Sequence, residues 1–189
     1  MPIHWRCLFI MVAALLAPVC WSASLSDDQY DAAIQQAVKR WWPGVDWRLW
    51  KAQLWQESRF DPDAVSPVGA RGLAQFMPAT WADVSQQMQM AGLSAHLAEP
   101  AIEAGAFYMA RLRQNWSSPR PEQDRHSLAM ASYNAGLGNL LKAQRACDGA
   151  LLYADIAQCL PQITGPHASE TLHYVPAVWR WYRALLLLE

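Results

Sequence analysis

Residues 46–62 have the sequence DWRLWKAQLWQESRFDP, and this stretch indicates both a helix and a candidate catalytic acid. Its apolar residues recur every three or four positions, which predicts a helix with Asp46 as its N-terminal cap. Trp50 and Leu54 lie on the apolar face of that helix. Glu57 follows Leu54 by three positions and Trp50 by seven, which puts its carboxyl group on the same face.

An acid on the apolar face of a helix has distinctive chemistry. A buried carboxyl group resists ionisation, so we expect the pKa of Glu57 to be raised. A carboxylic acid that stays protonated near neutral pH can act as a general acid, and glycosidases use such a group to protonate the leaving oxygen of a sugar linkage. The alternative interpretation is that Glu57 forms an ion pair with a base such as Arg71.

The rest of the chain also has the pattern of helices joined by turns that contain proline or glycine. Helical periodicity and prolines at helix starts predict further helices. Their approximate bounds are 27–41, 78–90, 100–116, 122–135, a short helix ending near 146, and 169–188 with an interruption at Pro176. Residues 60–71 and the segment from Pro161 to Pro166 are predicted loops. Since the sequence has no alternating run of strand length, we predict one mostly α domain over residues 25–189.

The composition narrows the class of protein. The chain has 189 residues, of which 53% are hydrophobic and 16% charged, so it is not a disordered chain. Its net charge of −1 offers no basic field for nucleic acid. The 11 tryptophans suit either a bulky core or a groove for flat ligands, and composition does not choose between these two.

The first residues have the pattern of a secretory signal sequence. A positive end is followed by the apolar run 7–19 and by small residues at 22–24. The apolar run is short for a transmembrane helix, which needs roughly 20 residues. We therefore predict that residues 1–24 are a signal peptide and that the protein is exported to the periplasm or cell envelope. The alternative is a retained, weakly hydrophobic anchor.

Two cysteines, Cys147 and Cys159, are left once the predicted signal peptide is removed. In an exported chain, such a pair predicts one disulfide that closes a short loop. Two free buried thiols are the alternative. A metal site is disfavoured because two cysteines without a nearby pair of histidines do not supply four ligands.

Four motifs together resemble one known family, the soluble lytic transglycosylases. They are QESRFDP at 56–62, VSPVGARGLAQFMPATW at 65–81, ASYNAG at 131–136 and ETLHYV at 170–175. The resemblance extends over residues 46–183, with the motifs in the family's order. It implies a lysozyme-like helical fold with a cleft that binds peptidoglycan glycan strands.

The resemblance also implies a reaction. Glu57 would be the sole catalytic acid and base, protonating the oxygen between MurNAc and GlcNAc and then taking a proton from the 6-hydroxyl of the same MurNAc. That hydroxyl would attack the anomeric carbon, so the product would end in 1,6-anhydro-MurNAc and no water would be consumed. Ser58 would steer the sugar beside the acid, and Gln75 would hydrogen-bond in the cleft.

Further site residues follow from the last two motifs of the resemblance. Tyr133 and Asn134 are expected to line the site near the acetamido group of the sugar. Tyr174 is expected to contact the Glu57 carboxyl group, and Glu170 to brace that corner of the site. The resemblance implies no cofactor and no metal.

Two other functions stay open at this point. A hydrolase of the goose-lysozyme type would use a similar fold and acid but would deliver water. A non-catalytic glycan-binding subunit of an envelope machine would use the same cleft without cleaving the strand. The expected partner is peptidoglycan in each case, with no nucleic acid, no identified protein partner, and a membrane contact only through a retained N-terminus.

Overall fold

The computed structural model describes residues 24–188, and helices dominate this part of the chain. The predicted signal peptide, residues 1–24, lies outside the described residues apart from Ser24. The helices are α1 Asp31–Trp41, α2 Arg48–Ser58, α3 Pro78–Gln87, α4 Ala98–Asn115, α5 Glu122–Ala135, α6 Leu137–Ala146, α7 Tyr153–Thr164 and α8 Ala168–Leu186, with a 3-10 turn at Gly165–His167. The prediction of a mostly α fold is confirmed.

The central helix, α2, is the one that the tryptophan-rich stretch predicts. The N-cap position of α2 is Trp47, one residue after the predicted cap Asp46. Asp46 nevertheless accepts a hydrogen bond from the backbone N–H of Arg48 in the first turn (3.0 Å). Trp50 and Leu54 are completely buried. The Trp50 indole N–H donates to the carbonyl of Ile102 on α4 (3.1 Å), so the large ring is fixed at its polar edge as well as by packing.

Helix α4 approaches Trp50 at a glycine. A Cβ atom built on Gly105 would lie 2.4 Å from Cζ2 of the Trp50 ring, which is far inside van der Waals contact. The missing side chain at this position therefore lets the indole lie against the α4 backbone. A second indole, that of Trp42, donates to the carbonyl of Ala106 beside it (2.6 Å).

The predicted loop around Pro161 is wrong, because residues 153–164 form α7. Pro161 lies in the C-terminal half of that helix, where it removes one backbone hydrogen bond but leaves the preceding turns intact. Ile156 and Leu160 are buried in the core, and this burial holds the helix in place.

The predicted disulfide is present: Cys147 and Cys159 are joined, with their Cα atoms 5.9 Å apart.

The predicted interruption at Pro176 is also wrong, since α8 continues through it. Apolar residues on both sides of the proline, among them Val175 and Val178, are buried, so packing maintains the helix. Helix α8 lies against both α2 and α5. Within residues 24–188, no helix combines the length and apolar character needed to cross a bilayer.

Candidate active site

A cleft of about 630 Å³ opens where α2, α5, α8 and the loop after α2 meet. Most of the residues that sequence analysis assigns to the site line this cleft. They are Glu57, Gln75, Tyr133, Asn134, Glu170 and Tyr174. Residues from four separate parts of the chain are thus brought to one surface.

The Glu57 carboxyl group lies at the last turn of α2, facing the cleft. Its pKa is raised to about 8, chiefly by burial; a hydrogen bond from Tyr174 opposes this rise, and the negative charge of Glu170 adds to it. Tyr174, a buried residue of α8, donates its hydroxyl hydrogen to Oε1 of Glu57. Since Oε1 accepts this bond, the carboxyl proton belongs on Oε2, where it is available to a ligand.

The alternative ion pair between Glu57 and Arg71 is absent from the described part of the chain. Arg71 is exposed, and its backbone exchanges hydrogen bonds with Phe76 (2.9 and 3.0 Å) to close a tight loop. Gly72 lies in this loop with a φ of +73°, and a Cβ on it would come within 1.9 Å of the carbonyl oxygen of Ala95. Only glycine fits such an approach, so this loop has one well-defined shape.

Gln75 ends this loop with its side chain at the cleft. Its amide nitrogen donates to the carbonyls of Gly72 (2.9 Å) and Ala64 (3.2 Å). Both donors of the amide are therefore used within the loop, and the group left for a ligand is the amide oxygen, an acceptor.

Ser58 follows the acid directly in the sequence but has a different environment. Its hydroxyl donates to the carbonyl of Leu73 (2.9 Å), and Ser58 is not among the residues that line the cleft. This bond ties the end of α2 to the loop that carries Gln75.

Helix α5 supplies Tyr133 and Asn134. The Tyr133 hydroxyl donates to the carbonyl of Ala74 (2.7 Å), and burial keeps its pKa well above the ordinary value. Asn134 donates to Oε1 of Glu170 (3.0 Å) and accepts from the Thr171 hydroxyl (2.6 Å). Glu170 is thereby held at the corner of the cleft by α5.

The acids that follow Glu57 most closely in the sequence, Asp61 and Asp63, lie in a turn outside the cleft lining. Asp61 accepts a hydrogen bond from the backbone N–H of Asp63 (2.9 Å), which closes a turn, and neither residue lines the cleft. Glu170 is the other carboxyl group of the cleft lining, and its Oε1 is occupied by Asn134. The cleft therefore presents one protonated acid rather than a pair of equivalent carboxylates.

The cleft lining also includes residues that the sequence did not single out, notably Arg59 and, on α8, His173, Ala177 and Arg180. A signal for the α8 residues is present in the sequence. Together with Glu170 they recur at intervals of three and four positions, so they form one stripe on the helix.

Similarity to known proteins identifies the family to which this helical fold, with its cleft and buried acid, belongs. The family described as "Transglycosylase SLT domain" matches residues 33–151, more than half of the chain. The chain belongs to this family and has its lysozyme-like helical fold. Glu170 and Tyr174 lie beyond the matched range.

Individual relatives agree with this family. The membrane-bound lytic murein transglycosylase F of Shewanella frigidimarina is 29% identical over 160 residues, which are 77% of this chain and 32% of the relative. The chain thus spans about a third of that relative's length. A relative of the same description from Alcanivorax borkumensis is 35% identical over 136 residues, which are 69% of this chain and 28% of the relative.

Two solved structures share the fold. An inactive Glu-to-Gln mutant of lytic transglycosylase Slt from Pseudomonas aeruginosa aligns with a TM-score of 0.65 and 26% identity, over 82% of this chain and 23% of that one. The 70-kDa soluble lytic transglycosylase of Escherichia coli aligns with a TM-score of 0.64 and 24% identity, over 85% of this chain and 25% of that one.

Proposed function

We propose that this protein is a lytic transglycosylase that cleaves peptidoglycan between MurNAc and GlcNAc and leaves 1,6-anhydro-MurNAc ends. The observation that carries the proposal is Glu57, a carboxylic acid that lines a cleft of about 630 Å³ and whose pKa is raised to about 8. The proposal is supported by relatives described as lytic murein transglycosylases. It is also supported by a solved relative whose Glu-to-Gln mutant is described as inactive.

In the first step, protonated Glu57 donates its proton to the oxygen between C1 of MurNAc and C4 of GlcNAc. The C1–O bond breaks, and its electron pair goes to that oxygen. The acetamido oxygen of the same MurNAc stabilises the positive charge at C1, which is how a site with a single carboxyl group can dispense with a second one.

In the second step, the Glu57 carboxylate removes the proton of the MurNAc 6-hydroxyl, and the oxygen of that hydroxyl bonds to C1. Glu57 ends protonated, as it began, and no water enters the reaction. The Tyr174 hydroxyl donates to Glu57 throughout, so it stabilises the carboxylate that exists between the two steps.

The polar groups next to Glu57 are suited to binding a sugar and are not needed for the proton transfers. The Gln75 amide oxygen is an acceptor for a sugar hydroxyl or amide N–H, and Asn134 and Glu170 hold each other at the opposite corner. We place Tyr133 and Asn134 near the acetamido group. For Ser58 we propose a different role from the expected one of steering the sugar: its bond to Leu73 positions the loop that carries Gln75.

We also propose that residues 1–24 direct export and that the protein acts in the periplasm or cell envelope. The Cys147–Cys159 disulfide supports an oxidising compartment, because such bonds persist mainly outside the cytosol. The substrate, peptidoglycan, lies in the same place.

The decisive experiment is digestion of purified sacculi followed by mass spectrometry of the released fragments. Wild-type protein should release fragments whose ends are one water lighter than reducing ends. Glu57→Gln should release none while keeping the circular dichroism spectrum of the wild type. Glu99→Gln, at an exposed glutamate that does not line this cleft, is the matched control and should cut normally.

Each alternative predicts a different result. Reducing ends from the wild type would replace the proposal with a hydrolase of the goose-lysozyme type. Binding of sacculi without any released fragment would indicate a non-catalytic subunit. Cleavage by Glu57→Gln at the wild-type rate would overturn the role of Glu57.

A further inference from the structure

We propose that Arg59 and Arg180 form a carboxylate-binding subsite in the cleft, which takes an acidic substituent carried by a MurNAc of the bound strand. The inference rests on the proposed function and deepens it, because it names a part of the substrate beyond the sugar chain. Both arginines line the same cleft as Glu57, and both are exposed there.

The two guanidinium groups are held in place by aromatic rings. The Arg59 guanidinium lies 4.8 Å from the centre of the Trp55 ring and 4.9 Å from that of Trp181. The Arg180 guanidinium lies 4.8 Å from the same Trp181 ring. Both guanidinium groups therefore lie against the same indole, which keeps them close to each other.

The backbone adds to this rigidity at Arg59. The residue ends α2 in the left-handed conformation, with a φ of 57°, and its guanidinium donates to the carbonyl of Trp55 (3.2 Å). Trp181 is fixed in turn, since its indole N–H donates to Oε1 of Gln56 (2.8 Å). A guanidinium stacked on an aromatic face keeps its N–H edges free, so these donors are preorganised for a ligand.

The charges at this end of the cleft are not balanced within the described part of the chain. Neither Arg59 nor Arg180 forms an ion pair there, and burial and the charge of Arg180 both lower the pKa of Arg59. Glu57 carries no charge while it is protonated at neutral pH. Glu170 is negative, but within residues 24–188 it forms no ion pair with either arginine, and its Oε1 accepts a hydrogen bond from Asn134 instead. An anionic ligand would relieve this repulsion, and guanidinium groups bind carboxylates in a two-bond geometry.

The proposed substrate carries the matching group. Every MurNAc bears a lactyl ether, which ends either in a free carboxyl group or, through an amide bond, in a stem peptide with its own free carboxyl groups. A strand placed with a MurNAc next to Glu57 brings one of these carboxylates into the same cleft. The shared chemistry is a carboxylate, and its two sources are the stem peptide and the bare lactyl group.

The test compares Arg59→Gln, Arg180→Gln and the double variant on two strand preparations. One preparation retains its stem peptides, and the other has been treated with an amidase so that only lactyl carboxylates remain. Loss of a charged hydrogen bond should lower kcat/KM about tenfold to a hundredfold, mostly through KM. Arg183→Gln, an exposed change on α8 outside the cleft lining, is the matched control.

A loss confined to strands with peptides assigns the subsite to the carboxylates of the stem. A loss confined to amidase-treated strands assigns it to the lactyl carboxylate, and a loss on both preparations shows that the subsite accepts either one. Binding of a chitin oligosaccharide, which has the sugar backbone but no carboxylate, should be unchanged in all variants. Equal weakening of chitin and peptidoglycan binding would overturn the proposal, as would wild-type kcat/KM of the double variant on both strands.

The same variants are also measured for strand binding by calorimetry. This readout separates the two proposals, because it tests the carboxylate subsite even if the wild type cleaves nothing. If the wild type cleaves nothing but the arginine variants bind peptidoglycan more weakly than the wild type, only the transglycosylase proposal is overturned. If the wild type cleaves as proposed but all variants bind peptidoglycan as tightly as the wild type, only the carboxylate subsite is overturned.

Discussion

Glu57 and Tyr174 are 117 positions apart in the sequence, yet their side chains act as one chemical group. Burial favours the neutral form of Glu57, whereas the Tyr174 hydroxyl favours the ionised form. The opposition suits a residue that must give a proton in one step and take one in the next. With a pKa of about 8, the acid loses its proton as the pH rises through that value, so kcat/KM should fall there.

Tyr174→Phe removes the hydroxyl and keeps the ring that packs in the core. Because the lost hydrogen bond lowers the pKa of Glu57, that pKa should rise in the variant. The alkaline limb of the profile of kcat/KM against pH should move to higher pH, and the rate at neutral pH should fall about tenfold to a hundredfold. Tyr182 is on the same helix as Tyr174, and its hydroxyl donates to Asp46 rather than to Glu57. Tyr182→Phe is therefore the control and should leave the pH profile unchanged. An unmoved alkaline limb in Tyr174→Phe would contradict the coupling.

The sequence could indicate Glu57 because a carboxyl group on the apolar face of a helix is costly to bury unless it is protonated or paired. It could not indicate Arg59 and Arg180 in the same way. Exposed arginines are common, and what distinguishes this pair is that both guanidinium groups lie against one indole, that of Trp181, which only the folded chain brings close to Arg59. Ser58 shows the opposite case, since a motif places it beside the acid and the structure turns its hydroxyl to Leu73.

At the scale of elements, periodicity predicted most helices because each has a buried face. It failed at two prolines. Pro161 and Pro176 are local signals against helix, but in α7 and α8 the burial of neighbours such as Leu160 and Val175 outweighs the lost backbone bond. Burial of this kind depends on which helices become neighbours, and the local sequence does not contain that information.

The packing of α4 against α2 gives a prediction at this scale. Gly105→Ala improves the intrinsic helix propensity, but the new Cβ meets the Trp50 ring at 2.4 Å. Overpacking of a rigid, buried ring should lower the free energy of unfolding by about 1–3 kcal/mol. Urea unfolding measures this change.

Gly138→Ala provides the control, because a Cβ on that α6 residue has no atom within 4 Å. It should keep the wild-type free energy of unfolding or raise it by up to about 1 kcal/mol. If Gly105→Ala matched or exceeded this control in stability, the close approach of α4 to Trp50 would not be a constraint on the fold.

At the scale of the whole molecule, burial of the Glu57 carboxyl group makes the free energy of unfolding depend on pH. The unfolded chain ionises Glu57 at its ordinary pKa of 4.5, whereas the folded chain retains the proton up to about pH 8. Between these two values the folded state binds the extra proton, so stability falls as the pH rises. The loss should be complete just above pH 8.

Glu57→Gln removes this dependence. The variant should be more stable than the wild type at pH 8, by a difference on the order of a few kcal/mol, and the difference should shrink towards the ordinary pKa of the carboxyl group. Urea unfolding of both proteins at acidic and at mildly alkaline pH measures it, with Glu99→Gln as the control. A difference of the same size under both conditions would show that Glu57 is not protonated in the folded protein.

The order of the helices along the chain has a consequence for biosynthesis. Glu57 is made early, on α2, but Tyr174 comes from α8, the last helix of the described residues. A ribosome-bound or partly exported chain therefore has the proton donor without the wall of the cleft that tunes it. Under the proposed function, the chain is therefore inactive in transit and becomes competent only when α8 arrives.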